Sequence, residues 1–113
     1  MTGDEGYAVM NRVISCGNVP SALFCANDPL AMGAMQALLD VGIKVPDEVS
    51  IIGFNDVDAC NFTRPTLSTV YAPSSEMGEI GASVLHNMIE GNDVFYPRRI
   101  QLPCQLVIRK SCK

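Results

Sequence analysis

The sequence predicts an α/β fold organised around a parallel-sheet βαβ core. Two short, mostly apolar runs carry the prediction, Ala22-Leu23-Phe24-Cys25-Ala26 and Val49-Ser50-Ile51-Ile52-Gly53-Phe54. Such runs suit strands that a parallel sheet covers on both faces. Between them lies a helical segment that opens at Asn27-Asp28-Pro29 and stops at Gly42. Strand, helix and strand fit within residues 22–54, the size of a right-handed crossover unit.

Ahead of this unit, residues 4–16 read as a helix. Thr2 and Glu5 have capping-box spacing, so each side chain can satisfy an orphan backbone donor of the first turn. Met10, Val13 and Ile14 supply its apolar stripe, and Gly17 is a natural stop. In the crossover helix, Asp28 is placed to cap the N-terminus. Pro29 suits the first position, where its missing N–H would have no partner. Leu38 and Ile43 flank Gly42 at the spacing of a Schellman contact.

Beyond the second strand, residues 57–66 read as a loop and residues 67–72 as a short extended segment. Residues 76–90 form the clearest helix, with Met77, Ile80, Gly81, Val84, Leu85, Met88 and Ile89 on one stripe. Glu76 and Glu79 favour its dipole, and Gly91-Asn92 end it. Residues 99–109 alternate strictly. Ile100, Leu102, Cys104, Leu106 and Ile108 share one side; Arg99, Gln101, Pro103, Gln105 and Arg109 share the other. That is a half-exposed strand, broken or bent at Pro103.

With 113 residues, 48% of them hydrophobic, the chain can form one compact unit or one piece of a larger one. No stretch approaches the ~20 apolar residues that span a bilayer. Thr2-Gly3-Asp4-Glu5 is too polar to open a secretory segment. The net charge of −4 argues against gripping nucleic-acid phosphates. The basic residues Arg98, Arg99, Arg109, Lys110 and Lys113 collect late and read as a solvated edge. Five cysteines without a CxxC predict neither a disulfide framework nor a metal site, and fit a reducing cytoplasm. No GxGxxG or P-loop string occurs, so no cofactor is expected. His86 is the sole histidine, on the helix face opposite Ile80 and Val84, and no nucleophile–base pair can be built around it. The chain is therefore not expected to be an enzyme.

Candidate binding residues follow from topology. Ligands of open parallel sheets bind beyond the carboxyl ends of the strands. Asn27-Asp28 follow the first strand and Asn55-Asp56 the second. Amide donors beside carboxylate acceptors suit a polyhydroxylated ligand, because each sugar hydroxyl both gives and receives hydrogen bonds. The competing reading is that Asp28 and Asn55 only cap helices and turns.

Three strings together resemble the LacI/GalR family of bacterial transcriptional regulators. They are Ser21-Ala22-Leu23-Phe24-Cys25-Ala26-Asn27-Asp28-Pro29-Leu30-Ala31-Met32-Gly33-Ala34, the stretch from Gly42 through Val45-Pro46-Asp47-Glu48-Val49 to Gly53-Phe54-Asn55-Asp56, and Arg64-Pro65-Thr66-Leu67-Ser68-Thr69-Val70 followed by Glu76-Met77-Gly78. Order and spacing match over essentially the whole chain. The resemblance implies that residues 1–113 are a partial C-terminal effector-binding and dimerisation domain with a periplasmic-binding-protein-like fold. It implies that operator DNA is read by an N-terminal helix-turn-helix outside this chain, that the effector is a small molecule such as a sugar, and that the regulator is a homodimer or higher oligomer. Asn27 falls on the family's effector-contacting asparagine. Asn55 falls on a position commonly occupied by an effector-bonding aspartate; the amide removes a charged acceptor and adds donors, and Asp56 directly after it can substitute. Ala72 and Ser74 fall where some members place larger contacts. The alternatives are a fragment of a periplasmic sugar-binding transport protein and a small α/β enzyme.

Overall fold

A computed structural model of the chain describes residues 1–91 and 99–113. Asn92 and Arg98, read above as part of a helix end and of a basic edge, lie outside the described residues. The chain divides into two compact units, Met1–Tyr71 with Gln105–Lys113, and Ala72–Cys104.

The first unit contains helix α1 (Gly3–Ser15), strand β1 (Ala22–Phe24), helix α2 (Asp28–Asp40), strand β2 (Ser50–Asn55), a short 3-10 turn (Asp58–Asn61) and strand β3 (Ser68–Tyr71). Helix α3 (Ser74–Ile89) belongs to the second unit, and strand β4 (Gln105–Val107) returns to the first. The sheet order is β1-β2-β3-β4. β1 pairs with β2, and β2 with β3, in parallel; β4 runs antiparallel to β3. The expected βαβ unit is present, and β4 makes the sheet mixed.

Local signals explain the boundaries. At α1 the Thr2 hydroxyl accepts from the Glu5 amide, and the Glu5 carboxylate accepts from the Thr2 amide at 2.7 Å. At the end of α2, Gly42 takes a φ of 81°. The Ile43 amide then bonds the Leu38 carbonyl and the Gly42 amide the Leu39 carbonyl, both at 3.0 Å. These are the paired bonds of a Schellman stop.

The core packs Ala31, Ala34, Met35, Ala37 and Leu38 of α2 with Met10, Val49, Ile51, Cys60 and Leu67. α1 and α2 approach to backbone contact. A Cβ on Gly6 would overlap the Leu30 carbonyl, and a Cβ on Gly33 would overlap the Gly3 carbonyl. Glycine is required at both places because the obstacle is backbone, which cannot rotate aside.

Three expectations need correction. Asn27, not Asp28, caps α2: its Oδ1 accepts from the Leu30 amide at 2.9 Å, which frees Asp28 for other partners. β1 is not covered on both faces; it is an edge strand of three residues with Phe24 66% exposed. In the tail, only Gln105–Val107 is strand, because Pro103 has no N–H to extend the ladder. The apolar side of the tail faces out at Leu106 and Ile108, whereas Ser111 is buried. Its hydroxyl donates to the Ile51 carbonyl at 2.6 Å and accepts from the Ser68 amide at 2.8 Å. Polar residues turn inward there because unpaired backbone groups of β2 and β3 need partners.

In the second unit α3 ends where predicted, with Gly91 at a φ of 68°. Its apolar stripe buries none of its residues, and Ile89 is 73% exposed. Among the described residues no helix is long and apolar enough to cross a membrane.

Candidate functional site

The sheet brings Asn27 and Asn55 to the same edge. Phe24 of β1 lies opposite Ile52 of β2, and each asparagine follows three residues further along its own parallel strand. Asn55 in turn lies opposite Tyr71 at the end of β3, and Tyr71 opposite Gln105 of β4. The carboxyl edge therefore carries a row of amide, phenol and amide groups. Asn55, Tyr71 and Gln105 are exposed and Asn27 is half-buried.

Asn27 serves the fold as well as the edge. Beyond its cap, its Nδ2 donates to the Met1 carbonyl at 3.2 Å. Asn55 makes no side-chain hydrogen bond among the described residues. Its backbone has a φ of 106°, and Asp56 follows at 59°. Both lie in the left-handed region, where asparagine and aspartate are the side chains best tolerated. Strain of this kind persists only where neighbours enforce it, and it gathers at binding sites.

Two anchors enforce it. The Val57 amide donates to Asp28 Oδ2 at 2.9 Å. Asp56 Oδ1 lies 2.8 Å from Arg109 Nη2. Arg109 also donates from Nε to Asn61 Oδ1 at 3.0 Å and from Nη1 to the Leu67 carbonyl at 2.9 Å. Asp56 is thus brought close to Asn55 in sequence, but its carboxylate is engaged internally. Asp28 is fully buried and also accepts the Thr69 hydroxyl. Burial, and then the negative charge of Asp28, push the Cys60 thiol up to about 12. Among the described residues no group of three or more His, Cys, Asp or Glu could hold a metal.

Sequence reasoning missed Tyr71, Arg109 and the burial of Asp28. Tyr71 could have been found by ending all three parallel strands at one edge. For Arg109 no local signal stood out: it shares the polar side of the tail with Arg99, Gln101 and Gln105, which are exposed.

A family model described as a periplasmic binding protein-like domain matches residues 1–112. The chain belongs to the periplasmic binding protein-like domain family. Within that family it is 38% identical, over 112 residues, to the HTH-type transcriptional repressor PurR of Haemophilus influenzae strain PittEE, covering 97% of this chain and 33% of that protein. The crystal structure of the Lac repressor dimer bound to operator and the anti-inducer ONPF superimposes with a TM-score of 0.89 at 28% identity, covering 98% of this chain and 38% of that one. The complex of the transcriptional regulator CelR with cellobiose gives a TM-score of 0.91 at 29% identity, with 98% and 34% covered. The chain spans about a third of the length of the curated relatives it matches. The periplasmic binding protein-like fold and the likeness to LacI/GalR-type regulators, both expected from the sequence, hold, and these relatives are regulators rather than enzymes.

Proposed function

We propose that the chain is the effector-sensing portion of a LacI/GalR-type transcriptional regulator and that its effector is a sugar. The observation that carries this reading is the exposed amide of Asn55, without a side-chain partner among the described residues and held at a left-handed backbone position beside Tyr71 at the edge it shares with Asn27. Amides give and accept hydrogen bonds, as sugar hydroxyls require, and an exposed tyrosine ring can stack on a sugar face. Asn27 and Asn55 contact the effector; Asp56 contributes through its pair with Arg109, which holds the turn. The cellobiose bound to a neighbour of the same fold supports a saccharide over other polar ligands.

Residues 1–113 act as part of a larger core in the cytoplasm. Support comes from the open edge of β1 and from an open, apolar groove of about 580 Å³ between α1 and β1, lined by Val9, Met10, Val13 and Phe24 among others. Operator DNA is read by a helix-turn-helix elsewhere in the regulator, since this segment carries a net charge of −4, unsuited to gripping phosphates. The regulator dimerises through α2 and the loop after β2, where Val57 and Phe62 are exposed.

The test is a thermal-shift and calorimetric screen of the full-length protein against monosaccharides and disaccharides, cellobiose and ribose included. A saccharide that binds and alters operator affinity supports the reading. Operator binding indifferent to every saccharide, with a nucleobase or amino acid raising the melting temperature instead, rejects it.

A further inference from the structure

Asp28 is a carboxylate at the first turn of α2, where an exposed aspartate would already complement the helix dipole. Instead it is wholly buried. Burying a charge is unfavourable unless hydrogen bonds replace water, so its partners are informative. They come from two places, neither of them α2: the Val57 amide in the turn after β2 and the Thr69 hydroxyl on β3. Space for the carboxylate is made on β2, where a Cβ on Gly53 would overlap Asp28 Oδ1. Gly53 stands two residues before Asn55, and Asp28 directly follows Asn27.

We propose that Asp28 is a positioning residue: its carboxylate joins the start of α2 to the turn after β2 and so sets the separation of the Asn27 and Asn55 side chains. The inference rests on the reading of those two asparagines as the effector site. Asp28 itself is sealed from ligand. It acts through its neighbour in sequence and through the Val57 amide, which pins the two left-handed residues just before it. Thr69 holds the other carboxylate oxygen, Oδ1, and keeps the group from rotating towards other donors. A general contribution to stability would not require one of its donors, the Val57 amide, to lie in the turn that carries Asn55.

Amide hydrogen exchange and side-chain amide resonances, recorded by NMR on the full-length protein, test this without a ligand. In Asp28→Asn, which keeps the volume, Val57 exchange accelerates about tenfold through local opening. The Asn55 side-chain resonances shift, while exchange at Ile51 and Leu38 stays at the parent rate. Asp28→Ala gives the same pattern with a larger change, and if that variant does not fold the asparagine variant alone decides. Val57 and Ile51 accelerating together would make Asp28 a general stabiliser and overturn the proposal, as would an unchanged Val57. Whether the asparagines bind saccharide at all is read separately, from calorimetry on the parent, so the two failures are distinguishable.

Discussion

Arg109 meets Asp56 at 2.8 Å, with the two side chains only 15% and 20% exposed. The tail of the chain thereby fastens the turn that presents Asn55. Removing one partner of a buried pair costs about 3–5 kcal/mol, and a hydrogen bond to a charged group about 1.5–3 kcal/mol. The residual exposure here puts Arg109→Leu at about 2–3 kcal/mol of lost stability, read as a lower urea midpoint with an unchanged slope. Arg109→Lys recovers only part of it, because a point charge cannot reach Asp56, Asn61 and the Leu67 carbonyl together. A lysine variant as stable as the parent would show that the fork is idle.

The contact of α1 with α2 sets two effects against each other. Alanine is preferred over glycine inside a helix by about 1 kcal/mol. Overpacking against fixed backbone costs about 1–3 kcal/mol. At Gly33 the second effect wins, and Gly33→Ala lowers the melting temperature. Gly78 and Gly81 of α3 have open space around them, so Gly78→Ala raises helix stability by up to about 1 kcal/mol. Both signs are read from denaturation curves, and a stabilising Gly33→Ala would refute the close approach.

Much of this architecture was legible in advance. Capping residues and glycine stops act over a few residues, so Thr2, Glu5, Gly17 and Gly42 fell where expected. The carboxyl-edge placement of Asn27 and Asn55 followed from parallel topology alone. What escaped depends on contacts distant in sequence. Asp28 looks like a cap until Thr69, some forty residues on, supplies its partner. Arg109 looks like a solvated base until the turn at Asp56 folds back to it. The tail's inward side was misjudged for the same reason: hydropathy cannot show that Ser111 is needed between β2 and β3.

Asn27 has separable duties. Asn27→Asp keeps the acceptor for the Leu30 amide and removes the Nδ2 donor. Stability should change by less than about 0.5 kcal/mol, whereas Asn27→Ala loses about 1 kcal/mol with the cap. Saccharide affinity falls in both. Chemical denaturation and calorimetry on the same samples separate the roles; affinity retained in Asn27→Asp would confine this residue to capping.

Cys60 gives a signed pH dependence. Its folded value of about 12 lies above the ordinary 9.0, so the folded chain holds the proton more tightly. The contribution of this group is fully present below pH 9.0 and is lost as pH rises towards 12. Thiolates are the reactive species. Cys60 therefore resists alkylation in the folded protein at pH 8, while exposed Cys16 and Cys104 are modified. Mass spectrometry after timed alkylation checks the order, and equal rates at all three would contradict the buried, carboxylate-facing thiol.

The central claim is that Asn55 holds the effector, and Asn55→Gly tests it most directly. Glycine removes the amide yet accepts a φ of 106° without strain, so any lost affinity cannot be assigned to a damaged turn. The measurement is a calorimetric titration of the full-length protein and its Asn55→Gly variant with the saccharide that binds the parent. The account predicts a dissociation constant raised about tenfold or more, equivalent to about 1.4 kcal/mol, at an unchanged melting temperature. Equal affinity in the two proteins would contradict it.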